Sequence, residues 1–234
     1  MESATLQCSN IVKSFGGVIA LDNVSLAIPR GRITGIIGPN GSGKSTLIDV
    51  ISGFLKPDAG EVTLLGKKIT NLAPYRISRM GLARTFQITK SFGGTSVLEN
   101  VMVAHPKGIC PEAKVMAEEI LSKLKLAHLK NEMASGLSYG QQKLLGLGRV
   151  MIRNPSIILM DEPFSGINPV IQEEIVSTLF KLRDKSSIAL VEHDMKMISR
   201  VCDHTFVLDR GQVICEGTPD FVLSNQKVVD AYLG

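Results

Sequence analysis

Two adjacent carboxylates, a lysine and a run of glycines are the residues whose types and spacing can do chemistry in this chain. Residues 38 to 46 read GPNGSGKST, so Gly38, Gly43, Lys44 and Ser45 fit G-x-x-x-x-G-K-[ST]. An apolar run precedes them and the helical pattern STLIDVISGF follows, which is the context a phosphate-binding loop needs. Glycines let the backbone wrap so that consecutive N–H groups face phosphate oxygens, and the helix start adds partial positive charge. Lys44 then reaches the terminal phosphates, and Ser45 offers a hydroxyl to Mg2+. Gly38, Pro39, Asn40, Gly41, Ser42, Gly43, Lys44, Ser45 and Thr46 are the expected nucleotide contacts.

The carboxylates end the apolar run IILMDEP, residues 157 to 163. Side chains alternate along a strand, so Asp161 and Glu162 point in different directions and can do different work. Asp161 can help hold Mg2+, and Glu162 can accept a proton from the water that attacks a γ-phosphate, or orient it; an isolated pair of this kind also reads as solvated charge at a strand end. His193, in LVEHDM, follows another apolar run and reads either as a surface or capping residue or as a hydrogen-bond donor to the γ-phosphate. Gln87, closing GLARTFQ, can touch Mg2+ or water without adding charge. Residues 137 to 143, LSYGQQK, place Ser138 as the cap of another helix start, a second place for an anion.

Short β-branched runs alternate with helical patterns, which implies an α/β fold with a mainly parallel sheet and helices on its faces. Residues 32–38, 156–161, 187–192 and 204–209 are nearly continuous in apolar residues, as buried central strands must be. ATLQCSNIVKSF near the start and EVTLLGKKI (61–69) alternate more and predict a half-exposed antiparallel sheet covering the core. From about 95 to 153 the pattern is helical: SVLE (96–99) is a capping box, and residues 111–129 have helical spacing at Val115, Ile120, Leu124 and Leu126. The helix after Gln141 is expected to pack through Leu144, Leu147 and Met151. TPDF (218–221) caps a short helical tail.

The chain has 234 residues, 44% of them apolar, enough for a full core and against disorder. Its net charge of +4 comes from scattered lysines and arginines, a weak pointer to nucleic acid that a solvated surface explains equally well. Cys8, Cys110, Cys202 and Cys215 form no Cys-x-x-Cys pair and read as buried thiols in a reducing compartment. No stretch approaches a spanning helix and the first ten residues lack the apolar core of a signal peptide, so a cytosolic chain with at most a peripheral membrane role is expected.

GPNGSGKST, RTFQ, LSYGQQ, ILMDEP and VEH, in this order and approximate spacing, resemble an ATP-binding-cassette ATPase along essentially the whole chain. The resemblance implies a P-loop NTPase (RecA-like) core, formed by residues 1–87 and 154–234, with an antiparallel β subdomain. It also implies an inserted helical subdomain over 88–153 that carries the signature segment, all within one domain. It implies ATP and Mg2+ as cofactors, with Ser45, Gln87 and Asp161 at the metal and Lys44, Glu162 and His193 in hydrolysis. Leu137, Ser138, Tyr139, Gly140 and Gln141 would then complete the site of a second ATPase subunit packed head to tail, either a copy of this chain or a paralogue. Phe15 falls where the family stacks an aromatic ring on adenine, though a core role is an equal reading. Tyr139 replaces the first glycine of the commonest signature, and Asn168 stands where Asp is usual and doubles as a helix cap before Pro169.

RMGLARTFQ (79–87), VLENVMVA (97–104), LSYGQQ and VVDAYLG (228–234) resemble the ATPase subunits of branched-chain amino acid importers. The implied partners are two transmembrane permease subunits and, indirectly, a solute-binding protein, with the chain peripheral on the cytoplasmic face of the membrane. Phe92, Val97 and Leu98 fall where a permease helix docks in the family, or are simple core. No nucleic acid partner is expected. The alternatives are a cassette of another transporter (amide or urea, lipid, polysaccharide export), a soluble cassette ATPase acting on nucleic acid, and a P-loop kinase or GTPase. The last is disfavoured by LSYGQQ and by the absence of Asn-Lys-x-Asp.

Overall fold

A computed structural model describes residues 4–85 and 91–233; Gln87 lies outside them. The chain opens on a hairpin of β1 (Ala4–Phe15) and β2 (Val18–Pro29), then runs through β3 (Ile33–Ile37), α1 (Lys44–Ile51), β4 (Ala59–Leu64) and β5 (Lys67–Lys68). After α2 (Pro74–Arg79) and β6 (Leu82–Arg84) come three helices, α3 (Val97–Met102), α4 (Pro111–Lys123) and α5 (Tyr139–Met151). Strands and helices then alternate as β7 (Ile157–Asp161), α6 (Pro169–Leu182), β8 (Ser187–Val191), α7 (Met195–Val201) and β9 (His204–Asp209). An edge strand β10 (Gln212–Gly217) and two short helices, α8 (Pro219–Leu223) and α9 (Gln226–Leu233), follow.

The main sheet has the order β10-β9-β3-β8-β7-β6, parallel throughout except for β10. Its centre is apolar on both faces because both are covered: β3 and β8 are buried at every position. The side-chain period of two sorts these residues into two cores. Ile33, Ile37, Ile158, Met160, Ile188, Leu190 and Val207 face the core shared with α3 to α7. Ile36, Ile157, Leu159, Ala189, Val191, Phe206 and Leu208 face the other, closed by α1 and by a second, antiparallel sheet of order β2-β1-β4-β5.

The run 61–69 lies in the antiparallel sheet as expected, as a hairpin of β4 and β5 in which Leu65 and Gly66 both take positive φ (50° and 73°), as a two-residue turn between twisted strands requires. Several expectations are corrected. Helix α4 stops at Lys123, where Lys125 enters the left-handed region at φ 56°, so Leu126 is buried beyond the helix end. Val115 is 59% exposed; the buried face is Ala113, Ala117, Ile120 and Leu121, whose small alanines let α4 close on its neighbours. Cys8 and Cys202 are buried, with burial pushing both thiols up to about 12, but Cys110 and Cys215 are only half-buried. The capping box of Ser96 with Glu99, the Thr218 cap and the packing of Leu144, Leu147 and Met151 hold.

Candidate active site

The parallel register sets the site. Val191 of β8 pairs with Ile36 of β3 on one side and with Asp161 of β7 on the other. The loops leaving β3, β7 and β8 therefore open at one edge, where the carboxyl ends of a parallel sheet form a ligand crevice. This brings residues 38–46, the carboxylates and His193 together from three distant segments.

The glycines of the first loop are required by contact. A Cβ on Gly38 (φ 151°) would lie 2.0 Å from the Leu208 carbonyl oxygen, and one on Gly43 (φ 104°) 2.5 Å from that of Ala20. Only a chain without side chains there passes so close to β9 and β2 while turning into α1, which leaves a backbone cradle of the shape a triphosphate needs. Lys44 donates from Nζ to the carbonyls of Gly38 (2.7 Å) and Pro39 (2.8 Å). Burial lowers its pKa, while Glu162 and Asp161 act against that shift. Its charge is thus held inside the cradle. Ser45 and Asp161 are hard oxygen donors of the kind Mg2+ selects.

Asp161 and Glu162 diverge as strand alternation requires. Asp161 Oδ2 lies 3.5 Å from Arg84 Nη2, and Arg84 also donates to Asp49 at 2.5 Å. Burial raises the Asp161 pKa, with Arg84 opposing. Glu162 turns the other way, with Oε1 3.7 Å from His193 Nδ1, and its own backbone sits in the left-handed region at φ 46°. A non-glycine residue there costs of order 1–2 kcal/mol, so the surroundings must impose it. His193 is exposed, which fits both its surface reading and a side chain open to a ligand. Phe15 is 46% exposed with Lys13 Nζ 5.4 Å from its ring centroid, which excludes the core reading and leaves a free aromatic face at the hairpin end.

Ser138 begins α5 within a full capping box: Gln141 N donates to its Oγ (3.4 Å), and Ser138 N donates to Gln141 Oε1 (2.9 Å). Leu137 is buried, and Gly140 leaves room for Ile171, which would lie 3.0 Å from an added Cβ. Tyr139 is 47% exposed, with its ring edge against Gly166. Among the described residues no hydrogen bond joins 137–142 to 38–46; those of 137–142 run within the segment, along α5 and back to Ala134. The structure therefore does not bring this segment onto the chain's own phosphate cradle. Asn168 caps α6, its Oδ1 accepting from Ile171 N at 3.0 Å. Of the residues expected at a permease, Val97 is fully buried core, whereas Phe92 is 51% exposed and lines a cavity of about 880 Å³ beside Arg84 and Asp161.

Four residues of the site were not singled out from sequence. Glu192 is 1% exposed; its Oε1 accepts from Phe164 N (2.9 Å) and its Oε2 from His193 N (3.2 Å), and burial raises its pKa. Lys143 is buried against residues 162–165. Arg84 holds Asp161, and the Tyr232 phenol reaches the backbone of Gly38, with burial pushing its pKa up to about 12. For Lys143 the signal was present: it stands three residues after Gly140 and four before Leu147, on the buried face of a helix. The other three make tertiary contacts that no local pattern announces.

Residues 21–165 match the family model described as ABC transporter, and residues 212–234 match one described as branched-chain amino acid ATP-binding cassette transporter. The chain is 40% identical to a probable branched-chain amino acid transport ATP-binding protein LivG of Archaeoglobus fulgidus, over 98% of this chain and 95% of that protein. It is 33% identical to the high-affinity LivG of Escherichia coli, over 100% and 99%. A crystal structure of an ATP-binding cassette of an ABC transporter in its ADP conformation superposes with TM-score 0.89 at 39% identity, covering 99% of each chain. A dimeric cassette in a post-hydrolysis state with ADP and Pi gives TM-score 0.81 at 29% identity, over 92% and 98%. With its P-loop NTPase fold, with GPNGSGKST, ILMDEP and VEH on one sheet edge and LSYGQQ at one helix start, the chain belongs to the ABC transporter family, as an ATP-binding, ATP-hydrolysing cassette subunit.

Proposed function

We propose that this cassette powers a branched-chain amino acid importer, hydrolysing ATP in a dimer of cassettes on the cytoplasmic face of a membrane. The C-terminal family match at residues 212–234 and the names of the relatives matched along their full length support the solute class. No helix among the described residues is long and apolar enough to cross a membrane, so two separate permease subunits would span it. The exposed Phe92 beside the 880 Å³ cavity is the place for one of their helices.

Within the site, Gly38, Gly41 and Gly43 with the N–H groups of 38–46 grip the phosphates, and Phe15 stacks on adenine. Lys44 swings from its own loop carbonyls to the terminal phosphates, and His193 donates to the γ-phosphate. Mg2+, held by Ser45 and Asp161 with Gln87 as the expected third ligand, would neutralise charge on the phosphates. Glu162 accepts a proton from the attacking water; its left-handed backbone aims the carboxylate away from Asp161 and toward His193.

The observation that carries the shared-site reading is the free start of α5. Leu137 anchors it, while Ser138 and Tyr139 stay exposed and bond nothing in the chain's own cradle. A helix N-terminus of this kind suits an anion from outside, and the second cassette supplies one. The known dimeric cassette structure of a relative supports such an assembly. Completing each site from two chains delays hydrolysis until closure. The test is Glu162→Gln: it should bind MgATP, hydrolyse it roughly a hundredfold slower or worse, and accumulate as an ATP-dependent dimer on a sizing column. Unchanged turnover removes Glu162 from its role, and a monomer at saturating ATP removes the dimer.

A further inference from the structure

We propose that Lys143 is a positioning residue for hydrolysis, its ammonium tying the helix that serves the partner's nucleotide to the loop that aims this chain's own Glu162. The coupling half of this inference rests on the shared-site reading above. Lys143 stands on α5, five residues after Ser138, and is 8% exposed. Its Nζ donates to the carbonyls of Glu162 (2.7 Å), Ser165 (2.8 Å) and Pro163 (3.3 Å). An ammonium has three donors, and all three are spent on one four-residue stretch of backbone.

The rest of that stretch is held just as tightly. Gln172 Nε2 donates to the Phe164 carbonyl at 3.4 Å, so side chains of α5 and α6 reach every carbonyl from 162 to 165. From the opposite side, the buried Glu192 carboxylate takes the Phe164 N–H at 2.9 Å. A buried cation and a buried anion thus grip one loop, and in that loop Glu162 keeps a φ of 46° that free backbone would relax. A buried charge is costly unless its bonds are made, so the arrangement is rigid.

Rigidity carries the coupling. Tyr139 lies over the same ammonium, 5.3 Å from ring centroid to Nζ, with its edge against Gly166, and Gly140 packs on Ile171 of α6. The start of α5, the 162–166 loop and the start of α6 form one body. When a partner's phosphate docks on Ser138, the displacement passes through Lys143 to the backbone of Glu162, which serves the other nucleotide. Each subunit would then report the loading of one site to the chemistry of the second.

Lys143→Met keeps length and apolar bulk and removes every donor. The full chain carrying it is expected to bind a fluorescent ATP analogue as the parent does and to keep its KM. Its kcat should fall roughly a hundredfold, the scale of a misplacement of about 1 Å, and its Hill coefficient for ATP should fall toward one. Lys143→Arg, which restores the cation, should recover part of kcat. If the Met variant does not fold, Lys143→Gln, which keeps one donor group for the carbonyls, carries the same measurement. A variant that is only less heat-stable, with parental kcat and Hill coefficient, overturns the proposal. Failure of the parent Glu162→Gln chain to dimerise with ATP defeats the shared site instead; the positioning of Glu162 is then judged on kcat alone, and a parental kcat overturns it.

Discussion

Replacing Ser138 by Ala separates what this residue does for its own helix from what it does for a neighbour. Within the chain its hydroxyl accepts one bond, from Gln141 N at 3.4 Å, which is long, while the return bond from Ser138 N to Gln141 Oε1 at 2.9 Å survives the change. Loss of an N-cap costs about 0.5–2 kcal/mol, and a long bond at an exposed helix start belongs at the lower end, near 0.5–1 kcal/mol. For a domain of this size that is a Tm shift of about 1–4 °C. A hydrogen bond to a charged phosphate is worth about 1.5–3 kcal/mol, and a dimer of identical chains makes two, so the assembled state loses about 3–6 kcal/mol. At 1.4 kcal/mol per decade, the dimer dissociation constant should rise by roughly 10²–10⁴. The assay is sedimentation of Glu162→Gln with and without Ser138→Ala at saturating MgATP, beside urea unfolding and nucleotide binding to the dilute monomer. A dimer constant that moves less than about tenfold refutes the reasoning, as does a monomer affinity that falls in parallel, which would put Ser138 on its own chain's nucleotide.

Other consequences follow from contacts around the cradle. Gly38→Ala forces a Cβ to within 2.0 Å of the Leu208 carbonyl; it should cost about 3 kcal/mol in urea unfolding and abolish nucleotide binding, and a parental affinity would show the cradle is not built as described. The pH dependence has a definite sign. Burial raises both the Asp161 and Glu192 carboxyl pKa values, so the folded chain binds these protons more tightly than the unfolded one. Their contribution to stability is fully present below their ordinary values of 3.8 and 4.5, and is lost as pH rises through the raised ones. Glu192→Gln removes one such group, so its stability relative to the parent should improve as pH climbs from about 4.5 toward neutrality; a constant difference in urea midpoints over that window would contradict it.

The phosphate loop and the adjacent carboxylates were legible because their chemistry is local: spacing alone puts Gly43 ahead of a helix and alternation alone parts Asp161 from Glu162. The strands β3, β7, β8 and β9 announced themselves as unbroken apolar runs because both faces are covered. Strand β2 was hidden by Asp22 and Asn23, where Asn23 takes φ 55° and interrupts the alternation, and β10 is a half-exposed edge with no clear period. Phe15 could not be assigned from sequence because a hairpin end exposes or buries an aromatic ring according to what lies across from it. Arg84, Glu192 and Tyr232 act on residues 77, 28 and 194 positions away, respectively Asp161, Phe164 and Gly38, so only the assembled sheet edge shows their work.

The central claim is that each ATP is held by the glycine loop of one chain and the α5 start of another. Mixing Ser138→Arg chains with Lys44→Ala chains tests it in a single ATPase titration. Each mutant alone has two defective sites, but the mixed dimer keeps one site with an intact Lys44 and an intact Ser138. Activity, near zero for either mutant, is expected to rise with the mixed fraction and to peak at equal proportions. Activity that stays at the level of the separate mutants at every ratio, although the mixed dimer forms, would contradict it.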